Sequence, residues 1–193
     1  MTNITVKPQA LERISLIGMP GSGKTTIGPL LAARLGWDFV DMDELIEALA
    51  GCDIKTLFEQ GEPVFRLWES RACRKLADYQ ATVVACGGGV VLRQENLPWL
   101  KQRGAIIFLD RPLEIIREDI KTSQRPLLQK GTDALTKLYK QREELYKAAT
   151  PWRVTNAGEI SEILDQLMDI IRQIKEVTGG SHDEAYGFKR TES

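Results

Sequence analysis

The chain has 193 residues, and its 26 Lys and Arg against 27 Asp and Glu leave a formal charge of −1. That balance gives no electrostatic drive toward phosphate backbones, which excludes a dedicated nucleic-acid binder. A hydrophobic share of 42% with 27% charged residues is that of a globular protein, and no apolar run approaches the roughly 18 residues of a membrane span.

The first residues, MTNITVKPQALER, lack the apolar stretch of a secretory signal, so a cytoplasmic protein is expected. Cys52, Cys73 and Cys86 form no CxxC pair and are read as reduced packing residues, with neither a disulfide framework nor a zinc site. The one histidine, His182, stands in a Gly- and charge-rich stretch near the end, so acid–base chemistry falls to carboxylates.

Along the chain, short apolar runs alternate with helical patterns. The runs are Ile14–Ile17, Phe39–Val40, Val83–Cys86, Ile106–Leu109 and Arg153–Thr155. The helical patterns are Lys24–Leu35, Pro63–Tyr79, Pro112–Lys121, Asp133–Ala149 and Glu159–Val177, with Pro63 and Pro112 suited to first-turn positions. Apolar runs without polar alternation suit parallel strands buried on both faces, so this series predicts a three-layer α/β/α architecture around a five-stranded parallel sheet. Residues 1–176 are expected to form a single domain. Two stretches read as insertions at the carboxyl edge of the sheet, where α/β proteins place ligands: 41–79, opening with the short helical pieces of Asp41–Glu62, and 121–132, the polar KTSQRPLLQKGT. They are candidates for an acceptor-binding piece and a closing lid. The end, 177–193, is small, polar and charged, and is expected to be a flexible tail.

The strongest motif is GMPGSGKT, Gly18 to Thr25, a GxxxxGK[ST] pattern between the first run and the first helix. Glycines let backbone N–H groups turn around phosphate oxygens, the helix N-terminus faces the anion, Lys24 reaches the outer phosphates and Thr25 offers a hydroxyl to Mg²⁺. A nucleoside triphosphate is implied. At the end of the second run stands Asp41-Met-Asp43, whose alternation in extended chain puts both carboxylates on one side. Asp41 is placed to orient Mg²⁺ or its waters and Asp43 to accept from an attacking hydroxyl; either one is also a candidate N-cap of a helix Glu44–Ala50.

Four features suggest where an acceptor sits. Arg142 falls on the stripe of Leu135, Leu138, Leu145 and Ala149, where a guanidinium needs either a protein carboxylate or a bound anion. Arg66 and Glu69 share a helix face, as a surface pair or as an arginine preoriented for an anionic ligand. Gly87, Gly88 and Gly89 follow the third run, which lets the backbone approach a ligand closely. Arg125, stiffened by Pro126, is the lid cation suited to a transferring phosphoryl group, while Lys121 and Lys130 read as solvated charges.

Taken in order, GMPGSGKTT, DMD, FRLWE, CGGG, RPLL and LYKQREELY resemble the shikimate kinase family from Ile14 to Asn156. The resemblance implies a P-loop kinase fold and ATP-dependent phosphorylation of the shikimate 3-hydroxyl, on the route to chorismate and aromatic amino acids. It places Asp43, Arg66, Gly88 and Arg142 on shikimate with Gly87 and Gly89 flanking, and Glu69 behind Arg66. Gly21, Ser22, Gly23, Lys24, Thr25 and Thr26 would surround the ATP phosphates, with Arg125 over them and Mg²⁺ near Thr25 and Asp41. Lys24, Asp43 and Arg125 would be the catalytic set. Phe58 and Phe65 would wall the acceptor pocket, and the adenine would lie between the lid and the loop after Thr155. There Asn156-Ala157-Gly158 lacks the basic residue that some relatives carry. The partners are small molecules, with neither nucleic acid nor membrane, and a monomer is expected. The alternatives are a related gluconate or nucleoside-monophosphate kinase, and a regulatory nucleotide-binding module without transfer.

Overall fold

The structure is a computed structural model that describes residues 11–122 and 132–178, with the backbone alone at 120–122 and 132–134. Arg125 and Lys130, most of the 121–132 segment and the end of the chain beyond Thr178 lie outside the described residues.

Five strands, β1 (Arg13–Ile17), β2 (Asp38–Asp41), β3 (Thr82–Ala85), β4 (Gly104–Asp110) and β5 (Arg153–Thr155), form one sheet in the order β2-β3-β1-β4-β5, with every pairing parallel. Helices connect them: α1 (Lys24–Leu35), α2 (Met42–Ala50), α3 (Ile54–Glu59), α4 (Glu62–Leu76), α5 (Asn96–Lys101), α6 (Leu113–Thr122), α7 (Thr132–Ala149) and α8 (Ile160–Val177), with a 3-10 turn at Val90–Leu92. The expected architecture is found, and the bounds of α1 and β5 coincide with the expectation.

The central strands β1, β3 and β4 are buried on both faces because both faces of the sheet are covered, whereas the edge strand β5 exposes Arg153 and Thr155 on either side of buried Val154. On β1, Ile14 and Leu16 pack with Val83, Ile107 and Leu109 under Ile27 and Leu31 of α1 and Ile163, Leu167 and Ile171 of α8. Ile17, with Val84, Ile106 and Phe108, points the other way into a core with Met42, Ile46, Ala72, Leu76 and Tyr146. This alternation follows from the two-residue period of a strand.

The chain runs from β1 through α1 to the edge strand β2, returns to β3 beside β1, and then crosses past β1 to β4, so the order reverses at β1. The carboxyl ends of β1, β2, β3 and β4 therefore deliver four loops to one crevice, the position at which open parallel sheets bind ligands.

Two elements depart from expectation. The helix after β2 starts at Met42 and not Glu44, because Asp41 caps it: the Asp41 carboxylate accepts from Asp43 N–H at 2.8 Å. Extended chain thus ends at Asp41, and Asp43 occupies the first helical turn instead of sharing one side of a strand with Asp41. Arg13, which opens β1, is fully buried. Its guanidinium donates to the carbonyls of Leu76, the last residue of α4, and Tyr79 beyond it, and to those of Trp99 in the last turn of α5 and Gln102 just after it, the last two at 2.9 Å. A cation at two helix carboxyl ends meets partial negative charge from both, which offsets its loss of hydration.

Candidate active site

The loop between β1 and α1 wraps onto itself. Ser22 N–H donates to Met19 carbonyl at 3.0 Å, and the Lys24 ammonium donates to Gly18 and Met19 carbonyls at 3.0 and 2.8 Å and reaches Ser22 Oγ at 3.3 Å. Lys24 is 8% exposed. Burial lowers its pKa to about 8, against the opposing pull of Asp43 and Asp41. A cation held at the cost of its hydration is poised for an anion that would restore the lost charge stabilisation. Thr25 and Thr26, which follow Lys24 in the first turn of α1, are exposed.

Asp43 is open to solvent in the crevice. The protein mass around it removes part of its hydration and raises its carboxyl pKa, with Asp41 adding to the rise and Lys24 opposing it. A carboxylate of raised basicity is the better proton acceptor.

The glycine run behind it is defined by what touches it. A Cβ on Gly87 would lie 3.2 Å from Glu69 Oε1 and 3.4 Å from Asp43 Oδ1, so this glycine sits between the two carboxylates. A Cβ on Gly88 would meet Pro20 Cδ at 2.8 Å, which packs the run against the phosphate loop. Gly89 abuts the Arg66 guanidinium, with 2.5 Å from a would-be Cβ to Cζ. Space, more than turn geometry, demands glycine at 88 and 89, while at 87 a side chain would fit tightly between the carboxylates.

Arg66 is held at both ends of its fork. Nη1 donates to Glu69 Oε1 and Oε2 at 3.0 and 2.9 Å, while Nε and Nη2 donate to Glu62 Oε1 at 3.1 and 2.9 Å. The Arg66 side chain is 11% exposed and that of Glu69 0%, so this is no surface pair. Burial alone would lower the Arg66 pKa, but Glu69 and Glu62 more than reverse it; burial raises that of Glu69, partly opposed by Arg66. Phe65, stacked on Phe58 at 4.4 Å between centroids, lies under the guanidinium at 5.0 Å.

Arg142, on α7, is half-buried and lies against the Tyr146 hydroxyl one turn on. Its charge also acts on Glu69 and Lys24. Among the described residues none of the ion pairs includes it.

Three contributors were given no role of their own from sequence. Tyr146, fully buried and stacked on Phe108 at 5.1 Å, donates its hydroxyl to the Gly88 carbonyl. Glu62 precedes Arg66 by four residues, a helical spacing that was available to be read. Asn156, after β5, donates to the Ser22 carbonyl at 2.8 Å. Cys86 lies next to the glycine run but is fully enclosed, and burial pushes its thiol up to about 12, so it stays a neutral packing residue.

The crevice therefore joins an anion loop with a buried lysine, a carboxylate of raised basicity, a glycine run with Arg66 against it, and a second arginine, Arg142, whose charge reaches Glu69 and Lys24. The chain's similarities agree with that assembly. A family model described as shikimate kinase matches residues 20–172. A shikimate kinase of Clostridium beijerinckii is 44% identical over 160 residues, covering 83% of this chain and 95% of its own length. One of Persephonella marina is 37% identical, covering 84% of this chain and 100% of its own. Among solved structures, shikimate kinase from Acinetobacter baumannii in complex with shikimate superposes with a TM-score of 0.77 at 35% identity, over 86% of this chain and 96% of that one. A gluconokinase from Sinorhizobium meliloti, at 18% identity and a TM-score of 0.58, shares the fold alone. On sequence, fold and site together, the chain belongs to the shikimate kinase family.

Proposed function

We propose that this chain transfers the γ-phosphoryl group of ATP to the 3-hydroxyl of shikimate, giving shikimate 3-phosphate and ADP. The observation that carries the reading is the convergence of Asp43, Arg66 and Arg142 on the glycine run beside the phosphate loop. Shikimate is a hydroxylated carboxylate. Arg142 and the fork of Arg66 suit its carboxylate, and Asp43 suits the hydroxyl that reacts.

In this reading Gly21, Ser22, Gly23, Lys24, Thr25 and Thr26 surround the triphosphate, with Lys24 leaving its loop carbonyls for the phosphate oxygens. The Asp43 carboxylate takes the proton of the 3-hydroxyl as its oxygen bonds to the γ-phosphorus, and the bond from that phosphorus to the ADP oxygen breaks. Glu69 and Glu62 keep Arg66 oriented, so less ordering is needed when the acceptor binds. Gly87, Gly88 and Gly89 let the acceptor approach the backbone.

Mg²⁺ fits the oxygen donors present: the Thr25 hydroxyl and the Asp41 oxygen beyond the one that caps α2. When bound it neutralises phosphate charge. The segment from α2 to α4 forms the acceptor side of the kinase domain, and the chain works as a cytoplasmic monomer.

Replacing Arg142 tests the acceptor half of the reading. Arg142→Ala is expected to raise KM for shikimate roughly 10- to 100-fold, the worth of a charged hydrogen bond, with KM for ATP changed by less than about threefold. Equal losses for both substrates would contradict it.

A further inference from the structure

Asn156 makes a contact that neither the fold nor the acceptor site requires. It follows β5, and its backbone N–H donates to the Asp110 carbonyl at 2.6 Å, which fixes it to the end of β4. From there its side-chain Nδ2 crosses to the Ser22 carbonyl at 2.8 Å, 134 residues away in sequence. The position of Gly23 is shaped by that amide. Gly23 holds φ 92, and a Cβ there would stand 2.5 Å from Asn156 Nδ2. The asparagine occupies the place of the missing side chain.

The consequence lies in the peptide plane. A trans peptide is planar, so its carbonyl and its N–H point in opposite directions. Holding the Ser22 carbonyl toward Asn156 turns the Gly23 N–H away from Asn156. Among the described residues that N–H donates to no acceptor, whereas the Ser22 N–H is already spent on Met19. Neighbouring carbonyls of the loop are held in the same manner, Gly21 by Arg111 Nη1 at 3.2 Å and Gly18 and Met19 by Lys24. The bond from Asn156 sets the orientation of an N–H that no acceptor among the described residues takes up.

We propose that Asn156 is a positioning residue for the triphosphate: it presents the Gly23 N–H to a phosphate oxygen, and it acts on the phosphates and not on the base. The inference rests on the reading that this loop holds ATP. Preorganised backbone donors lower the cost of binding an anion because they need not reorient when it arrives.

The test measures binding of ADP, inorganic tripolyphosphate and shikimate to the full chain and to Asn156→Ala and Asn156→Asp. Tripolyphosphate carries the phosphates without a base. Both variants are expected to weaken ADP and tripolyphosphate by the same factor, about tenfold for Asn156→Ala and more for Asn156→Asp, whose carboxylate faces the Ser22 carbonyl. Shikimate binding in the absence of nucleotide should be unchanged, which also reports that the variants are folded. Weakened ADP with unaltered tripolyphosphate would overturn the proposal in favour of a base contact. Unaltered ADP, or equal loss of shikimate, would overturn it as well. A wild-type chain that binds neither ADP nor tripolyphosphate would remove the ATP reading itself and the proposal with it.

Discussion

Gly89 and Arg66 claim the same space: a Cβ on Gly89 would lie 2.5 Å from both Arg66 Cζ and Nη2. The guanidinium cannot retreat easily, because Glu69 holds Nη1 and Glu62 holds Nη2. Gly89→Ala therefore has to move the arginine or the glycine run. The expected result is a rise in KM for shikimate of roughly 10- to 100-fold, the scale of a lost charged hydrogen bond, with KM for ATP nearly unaltered. Steady-state kinetics with each substrate varied in turn checks it.

Tyr146 supports the same run from behind. Its hydroxyl donates to the Gly88 carbonyl while its ring lies on Phe108. Tyr146→Phe keeps the ring and deletes the donor, leaving a carbonyl without its partner. Stability should fall by about 1 kcal/mol, and kcat/KM for shikimate by about fivefold, since Arg142 loses the hydroxyl it lies against. Denaturant unfolding and kinetics on the same preparation measure both.

Lys24 ties nucleotide binding to pH. In the unliganded site burial holds its pKa down to about 8. A bound polyphosphate favours the ammonium form and raises that pKa. Binding therefore takes up a proton wherever free Lys24 is partly neutral: affinity is level well below pH 8 and declines as pH rises through it. Calorimetric titration of ADP at pH 8 in buffers of different ionisation enthalpy should detect uptake of about half a proton from this group, and almost none at pH 6.

Much of this was legible in the chain before the fold was known. Short apolar runs and the GxxxxGK[ST] pattern located the sheet and the phosphate loop because both depend on near neighbours. Arg66 and Glu69 were readable as a pair from helical spacing, but their burial was not, since it depends on α4 packing against the glycine run. The start of α2 was displaced by two residues because Asp41 and Asp43 both fit an N-cap, and only the Asp43 N–H bond to Asp41 decides between them. Arg13 and α5 were missed for different reasons. A charged residue at a strand start reads as exposed, and a six-residue helix containing Pro98 carries a weak period; the structure joins them through the Arg13 bonds to the Trp99 and Gln102 carbonyls. Asn156 and Tyr146 act across long sequence separations on backbone carbonyls, and no local pattern encodes such a bond.

The central claim is the identity of the acceptor, and product analysis tests it most directly. Mg-ATP is supplied with shikimate, gluconate, a nucleoside monophosphate or no acceptor, ADP release is followed, and the phosphorylated product is identified by phosphorus and proton NMR. The account predicts ADP release that depends on shikimate, with the phosphate on its 3-hydroxyl. Turnover with gluconate or a nucleotide but none with shikimate would contradict the acceptor assignment, and silence with every acceptor despite ATP binding would contradict phosphoryl transfer itself.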